Sequence, residues 1–159
     1  MDRILKGKIK GKNTTKVVRF GNVKSVGVGN VGNFIKNFRE ISSRINRSRN
    51  SGFYIESISL QLQLIDLWLK ELVKEKTGKQ FVFGEKYFFG DVIKKSQQLL
   101  PPQLYEKVKE FNKIRIKAIH NFIYGDTDYE EIKSVSEKYN SLHVEVFQFV
   151  VKEISKGIS

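Results

Sequence analysis

Residues 111–125 read FNKIRIKAIHNFIYG and predict the second half of an amphipathic helix that ends at Gly125. Arg115 falls on the apolar face of this helix. A guanidinium cannot lose its proton to escape burial, so it requires an anion, a carbonyl or a wet cleft. His120 follows five residues later, and the pair is the candidate chemical site. Helical spacing predicts that the buried face consists of Leu104, Val108, Phe111, Ala118, Ile119 and Phe122.

The composition is that of one soluble domain. The chain has 159 residues, no cysteine and two histidines, so it offers no disulfide framework, no thiolate zinc site and no cysteine nucleophile. We therefore expect neither a metal nor another cofactor. No apolar run reaches membrane-spanning length, and the basic N-terminus lacks the apolar core of a secretory signal, which predicts a cytoplasmic protein without a transmembrane segment.

The positive charge is concentrated in the first third of the chain. The net charge is +12, and residues 1–50 contain 13 of the 29 Lys/Arg but 2 of the 17 acidic residues. A basic segment beside a near-neutral domain favours a polyanion, RNA or another nucleic acid, over a tail that only keeps the protein soluble. The candidate binding residues in this segment are Lys6, Lys8, Lys10, Lys12, Arg39, Arg44 and Arg47.

The first fifty residues are predicted to form a basic arm. Residues 1–13 alternate Lys with Gly and predict a mobile segment, while the Val-rich residues 14–32 could form a hairpin around Gly21-Asn22. A basic amphipathic helix over about 34–47 follows, with an apolar stripe of Phe34, Phe38, Ile41 and Ile45. It could lie along a phosphate backbone or on an anionic membrane. Asn50-Ser51-Gly52 predicts a boundary, giving an arm over 1–50 and a helical domain over 51–159.

The remaining residues predict an all-α antiparallel bundle of about four core helices. They cover about 53–76, 90–99, 102–124 and 128–154, and the first is apolar enough to be covered on more than one face. Asp126, Thr127 and Asp128 are capping residue types before the last helix. His143, on that helix, is expected at the surface or at the edge of the core.

Residues 53–154 resemble the HEPN superfamily. The resemblance depends on the long apolar helix SISLQLQLIDLWLKELV, on FGDVIKK, and on LYEKVKEFNKIRIKAIHNFIYG, in which Arg115 and His120 fit the family's R-x4–6-H signature. It implies a helical bundle that forms a homodimer and joins two such motifs in one cleft. Many members are metal-independent endoribonucleases, and some are toxins paired with an antitoxin or defence effectors.

The resemblance implies roles for the motif residues. His120 would exchange a proton with the ribose 2′-hydroxyl or the leaving oxygen, and Arg115 would stabilise charge on the scissile phosphate. Lys113 and Lys117 would bind the RNA backbone, with Asn112 and Asn121 as supporting polar neighbours. The alternative is a non-catalytic nucleic-acid-binding or adaptor protein of this fold, because Ile116 stands where active members usually have a polar residue.

Overall fold

The described residues form six α-helices and contain no strand, which confirms the all-α prediction for this part of the chain. The computed structural model describes residues 31–79, 81, 88–126 and 128–156, with side chains from residue 36 onward. The Lys-rich arm, residues 14–30 of the predicted hairpin stretch and Thr127 lie outside these residues, whereas residues 31–32 of that stretch are helical. The helices are α1 (Val31–Asn50), α2 (Tyr54–Thr77), α3 (Phe89–Ser96), α4 (Pro102–Tyr124), α5 (Tyr129–Lys138) and α6 (Leu142–Lys156).

Helix α2 is the centre of the bundle. It packs against α1, α3, α5 and α6, which confirms that its apolar residues are covered on more than one side. Ile58, Ile65, Leu69 and Leu72 are completely buried. Since each fully buried aliphatic side chain contributes about 1.5–3 kcal/mol, α2 supplies much of the hydrophobic stabilisation of the fold.

Side-chain contacts define the relative directions of three pairs of helices. Arg44 pairs with Glu56 and Phe38 packs on Trp68, so α1 and α2 are antiparallel. Lys117 pairs with Glu131 and Lys138 with Glu110, which makes α4 and α5 antiparallel as well. Helices α2 and α6 run parallel, as the contacts Trp68–Phe147 and Lys76–Glu153 show. No helix of the described part is long and apolar enough to cross a bilayer.

Helix α1 is longer than predicted and is packed into the bundle. The ring of Phe38 lies 5.8 Å from that of Trp68 and 4.4 Å from that of Phe147, and Ile45 is completely buried. The predicted boundary after residue 50 coincides with a tight turn, in which Gly52 has φ 83°. This turn joins two helices that pack on each other. The described side chains of the predicted apolar stripe, Phe38, Ile41 and Ile45, thus pack on the protein's own core rather than facing outward, and the side chain of Phe34 lies outside the described residues.

The predicted last helix is broken into α5 and α6. The backbone leaves helical geometry at Tyr139, with φ −110° and ψ 22°, and Asn140 and Ser141 follow in a turn. Asn and Ser side chains compete with the helix for backbone hydrogen bonds and therefore favour turns. After this turn, the Val144 and Glu145 amides donate to the Ser141 carbonyl, which starts α6. The described residues after 53 therefore form five helices rather than about four.

Candidate nucleic-acid interface

Helix α4 presents all the motif residues on a regular helix. It begins with Pro102 in its first turn and closes at Gly125, whose φ of 78° is the left-handed conformation predicted from the sequence. The Gly125 and Asp126 amides donate to carbonyls of the last turn, which completes the cap. The helix is uninterrupted from Arg115 to His120, so helical geometry fixes the relative directions of their side chains.

Arg115 lies on the core side of α4, one turn from Phe111 and from Ala118, which are both completely buried. Its Nη2 donates to the Asn112 Oδ1 at 2.8 Å, while its Nε is buried and has no hydrogen-bond partner in the described part of the chain. Burial lowers the pKa of the guanidinium from its ordinary value. It nevertheless remains charged at neutral pH, because that ordinary value is so high. Arg115 is thus a partly buried cation whose observed side-chain partner is a neutral amide.

His120 lies on the solvent side of α4, in line with two lysines. Lys113, Lys117, His120 and Tyr124 are all exposed, and their spacing places them within about 60° of one another around the helix axis. We call these four residues the α4 stripe. Lys117 lies 3.9 Å from a Glu131 carboxylate oxygen, at the edge of ion-pair distance. The stripe is an exposed row of two lysines, an imidazole and an aromatic ring.

Arg115 and His120 do not meet within one chain. Five helical residues separate their Cα atoms by about 8–9 Å and turn their side chains about 140° apart. Arg115 points towards the core and His120 points towards solvent. Because the helix is regular between them, a phosphate bound by both residue types would need Arg115 from one copy of the protein and His120 from another.

The two supporting asparagines have different environments. Asn112 holds Arg115 through the 2.8 Å hydrogen bond. Asn121 is partly buried, and its backbone carbonyl accepts from the amide of Asp126 at 2.7 Å in the helix cap. Asn112 is therefore the asparagine that contacts a candidate site residue.

The predicted basic residues of α1 lie apart from the α4 stripe. Arg39, Arg44 and Arg47 are exposed, but Arg44 donates to Glu56 at 2.8 Å. Helix α1 packs against α2 and α5, whereas α4 packs against α3, α5 and α6. Among the described residues, the predicted basic side chains thus lie on two different helices, α1 and the α4 stripe. Lys6, Lys8, Lys10 and Lys12 lie outside the described residues.

An exposed apolar patch surrounds the end of α4. Tyr124 is 77% exposed, and the Tyr129 ring lies 6.0 Å from Phe122 and 5.3 Å from Tyr54. The Tyr129 hydroxyl donates to the Gly52 carbonyl, which ties the start of α5 to the α1–α2 turn. We call the exposed side chains of the last turn of α4, together with Tyr129, the α4-end patch: Phe122, Ile123, Tyr124 and Tyr129.

The surface position that the sequence allowed for His143 is wrong, because this residue is only 2% exposed. Burial, with a contribution from the Arg49 charge, lowers the pKa of its imidazole to about 4. A signal was present in the sequence, since His143 lies at helical spacing from Tyr139, Val146 and Val150, all of which are buried.

Within the described ranges, no three His, Cys, Asp or Glu side chains are grouped so that they could hold a metal ion. No protein-family model matches the chain, and neither does any curated protein or solved structure.

Proposed function

We propose that this protein binds RNA through the α4 stripe and the basic face of α1. The observation that carries the proposal is the alignment of Lys113, Lys117 and His120 on one exposed side of α4. Lysine ammoniums spaced one turn apart can follow a phosphate backbone, and an exposed ring such as Tyr124 can stack on a base. The strong excess of Lys and Arg in residues 1–50 adds long-range attraction for a polyanion.

A charge-matched comparison tests this proposal. Binding of a labelled single-stranded RNA is measured by fluorescence anisotropy over a series of salt concentrations for the wild type and for Lys113→Gln/Lys117→Gln. Each lost phosphate contact removes about 0.7 from the slope of log K against log salt, so the double variant loses about 1.4. The control is Lys133→Gln/Lys156→Gln, which removes the same charge from lysines that pair with Glu130 and Glu153. Equal slopes for the two double variants would contradict a role for the stripe.

A second candidate function is ribonuclease activity of the HEPN type, favoured by the environment of Arg115. A partly buried guanidinium with an unsatisfied Nε is suited to an anion such as a scissile phosphate. The site would combine Arg115 of one copy with His120 of another, since the two diverge within one chain. The α4-end patch, which adjoins His120 on α4, offers apolar surface for that contact. The 2′-hydroxyl would attack the phosphate and leave a 2′,3′-cyclic end.

Mixing two inactive variants tests the composite site. Arg115→Met and His120→Ala should each abolish cleavage of RNA in EDTA. After the subunits exchange, half of the dimers would be mixed, and each would contain one intact Arg/His site. The mixture should therefore recover about a quarter of wild-type activity. Activity retained in the His120→Ala sample, or no recovery on mixing, would contradict this mechanism. Neither result would bear on the RNA-binding proposal, which the salt dependence of binding tests.

A further inference from the structure

The α4 stripe ends in an aromatic ring. Tyr124 is the last residue of α4 and is 77% exposed, so most of its side chain meets solvent. It lies on the same side of the helix as Lys113 and Lys117. The Cα atoms of the two lysines are about 6 Å apart along the helix axis, and Tyr124 lies about 10 Å beyond Lys117. A chain held along the stripe by its phosphates therefore arrives at this ring.

A second exposed ring borders the same turn and is held by its neighbours. Tyr129 begins α5 and is 42% exposed. Its ring lies 6.0 Å from that of Phe122 on α4 and 5.3 Å from that of Tyr54 on α2, and its hydroxyl donates to the Gly52 carbonyl. Because these contacts already fix the side chain, a flat ligand that packs on its exposed part costs little further ordering of the protein.

The charge changes sign where α4 passes into α5. Lys113 and Lys117 come before the turn, and the exposed acidic residues at and after it are Asp126, Asp128 and Glu130. Carboxylates repel phosphates, so they keep a phosphate chain on the lysine side of the two rings. A neutral base meets no such repulsion. The site is therefore suited to a nucleotide whose phosphate lies at the lysines and whose base lies at the turn.

Base pairing decides whether a base can reach these rings. Inside an RNA duplex the bases are stacked on one another, and the deep, narrow major groove does not admit side chains. In a single strand, an unstacked base can turn outward and stack on an aromatic side chain. Phosphates are present in both forms, so the lysines of the stripe can bind either one. The rings at its end are the part that can distinguish them.

We propose that Tyr124 and Tyr129 form a base-stacking platform at the end of the α4 stripe, which gives unpaired RNA a contact that duplex RNA lacks. This role depends on the proposed RNA binding and divides it between two groups of side chains. Lys113 and Lys117 hold phosphates and set the salt dependence of binding. The two rings hold a base and add affinity for single strands that does not depend on salt.

Fluorescence anisotropy with the full-length protein tests the platform. The probes are a short labelled RNA of mixed sequence and the same strand annealed to its complement. Tyr124→Ala should weaken binding of the single strand about 5- to 150-fold, which is the range for loss of one stacked base, and leave duplex affinity and the salt slope unchanged. The control is Phe88→Ala, which removes a ring that is 74% exposed at the start of α3 and should bind both probes as the wild type does.

Conservative variants separate stacking from general apolar contact. Tyr124→Phe keeps a flat ring and should retain the single-strand affinity, whereas Tyr124→Leu keeps apolar surface without the ring and should lose it. Tyr129→Ala should weaken single-strand binding in the same direction. Since Tyr129 also packs on other rings, the decisive variants are those of Tyr124, whose exposed side chain contributes little to the fold.

The outcomes distinguish the platform from the RNA binding on which it depends. Equal losses of single-strand and duplex affinity in Tyr124→Ala, no difference between Tyr124→Ala and Phe88→Ala, or full affinity in Tyr124→Leu would overturn the platform while salt-dependent binding by the wild type still stood. Light scattering on the same samples gives the molecular mass. A mass that falls in Tyr124→Ala would assign the ring to contact between copies of the chain and would also overturn the platform. No salt-dependent binding by the wild type would refute the proposed RNA binding itself.

Discussion

Replacing Phe38 by alanine tests whether α1 belongs to the bundle or only precedes it. Phe→Ala costs about 3–5 kcal/mol at a fully buried site. Phe38 is partly buried, but its ring contacts Trp68 at 5.8 Å and Phe147 at 4.4 Å. We take about half of that cost, because Phe38 is partly buried, and add part of the energy of its two aromatic contacts. The sum is a loss of about 2–3 kcal/mol in the free energy of unfolding. A domain with an ordinary stability of about 5–15 kcal/mol would still fold after this loss.

Urea denaturation followed by circular dichroism and Trp68 fluorescence measures that loss. The control is Phe53→Ala, the same substitution at a ring that is 62% exposed, for which we expect a change below about 1 kcal/mol. Phe38→Ala should also change the native emission of Trp68, since it removes a ring in contact with the indole. Equal losses of stability in the two variants, with an unchanged Trp68 emission, would show that α1 contributes nothing to the core.

Three further predictions concern the ends of α4 and α5 and the buried histidine. Gly125→Ala should destabilise the fold by about 1 kcal/mol in urea melts, because φ is 78° there, whereas Gly90→Ala should be neutral or stabilising, since Gly90 is helical with open space around it. Asp128→Ala should cost about 1 kcal/mol by the same measurement, because the Asp128 carboxylate accepts from the Glu131 amide at 3.0 Å; an unchanged stability would exclude that cap. Because burial lowers the pKa of His143 to about 4, proton uptake by the unfolded state should lower the free energy of unfolding by up to about 3 kcal/mol as the pH falls from 6.5 to 4. A His143→Leu variant whose stability falls with pH as much as that of the wild type would contradict this.

The local signals of the sequence predicted much of the helical architecture. Helix α4 closes at Gly125 in the left-handed conformation, and Asp128 caps α5, as their residue types indicate. The packing of α1 was harder to foresee, because the positive charge of residues 1–50 favours an arm. Its apolar stripe outweighs that charge: Phe38, Ile41 and Ile45 pack on the core. The exposed basic residues of this helix are Lys36, Arg39, Arg44 and Arg47.

The parts that the sequence left open depend on three-dimensional contacts. The break between α5 and α6 follows from a short Asn-Ser turn within an otherwise continuous apolar stripe, and the stripe alone predicts one helix. The burial of His143 was masked by its polarity. For the candidate site, spacing predicts that Arg115 and His120 diverge around α4, but the hydrogen bond from Arg115 to Asn112 and the unsatisfied Nε became apparent only from the packing.

The most direct test of the proposed function is the salt dependence of RNA binding by the wild-type protein. With Arg39, Arg47, Lys113 and Lys117 contacting four phosphates of a single strand, the slope of log K against log salt is about −2.8. Affinity should then fall about 50-fold between about 50 mM and 200 mM salt. A loss of this size or larger would support a nucleic-acid-binding protein. No binding at the lower salt concentration, or an affinity that does not change with salt, would contradict it.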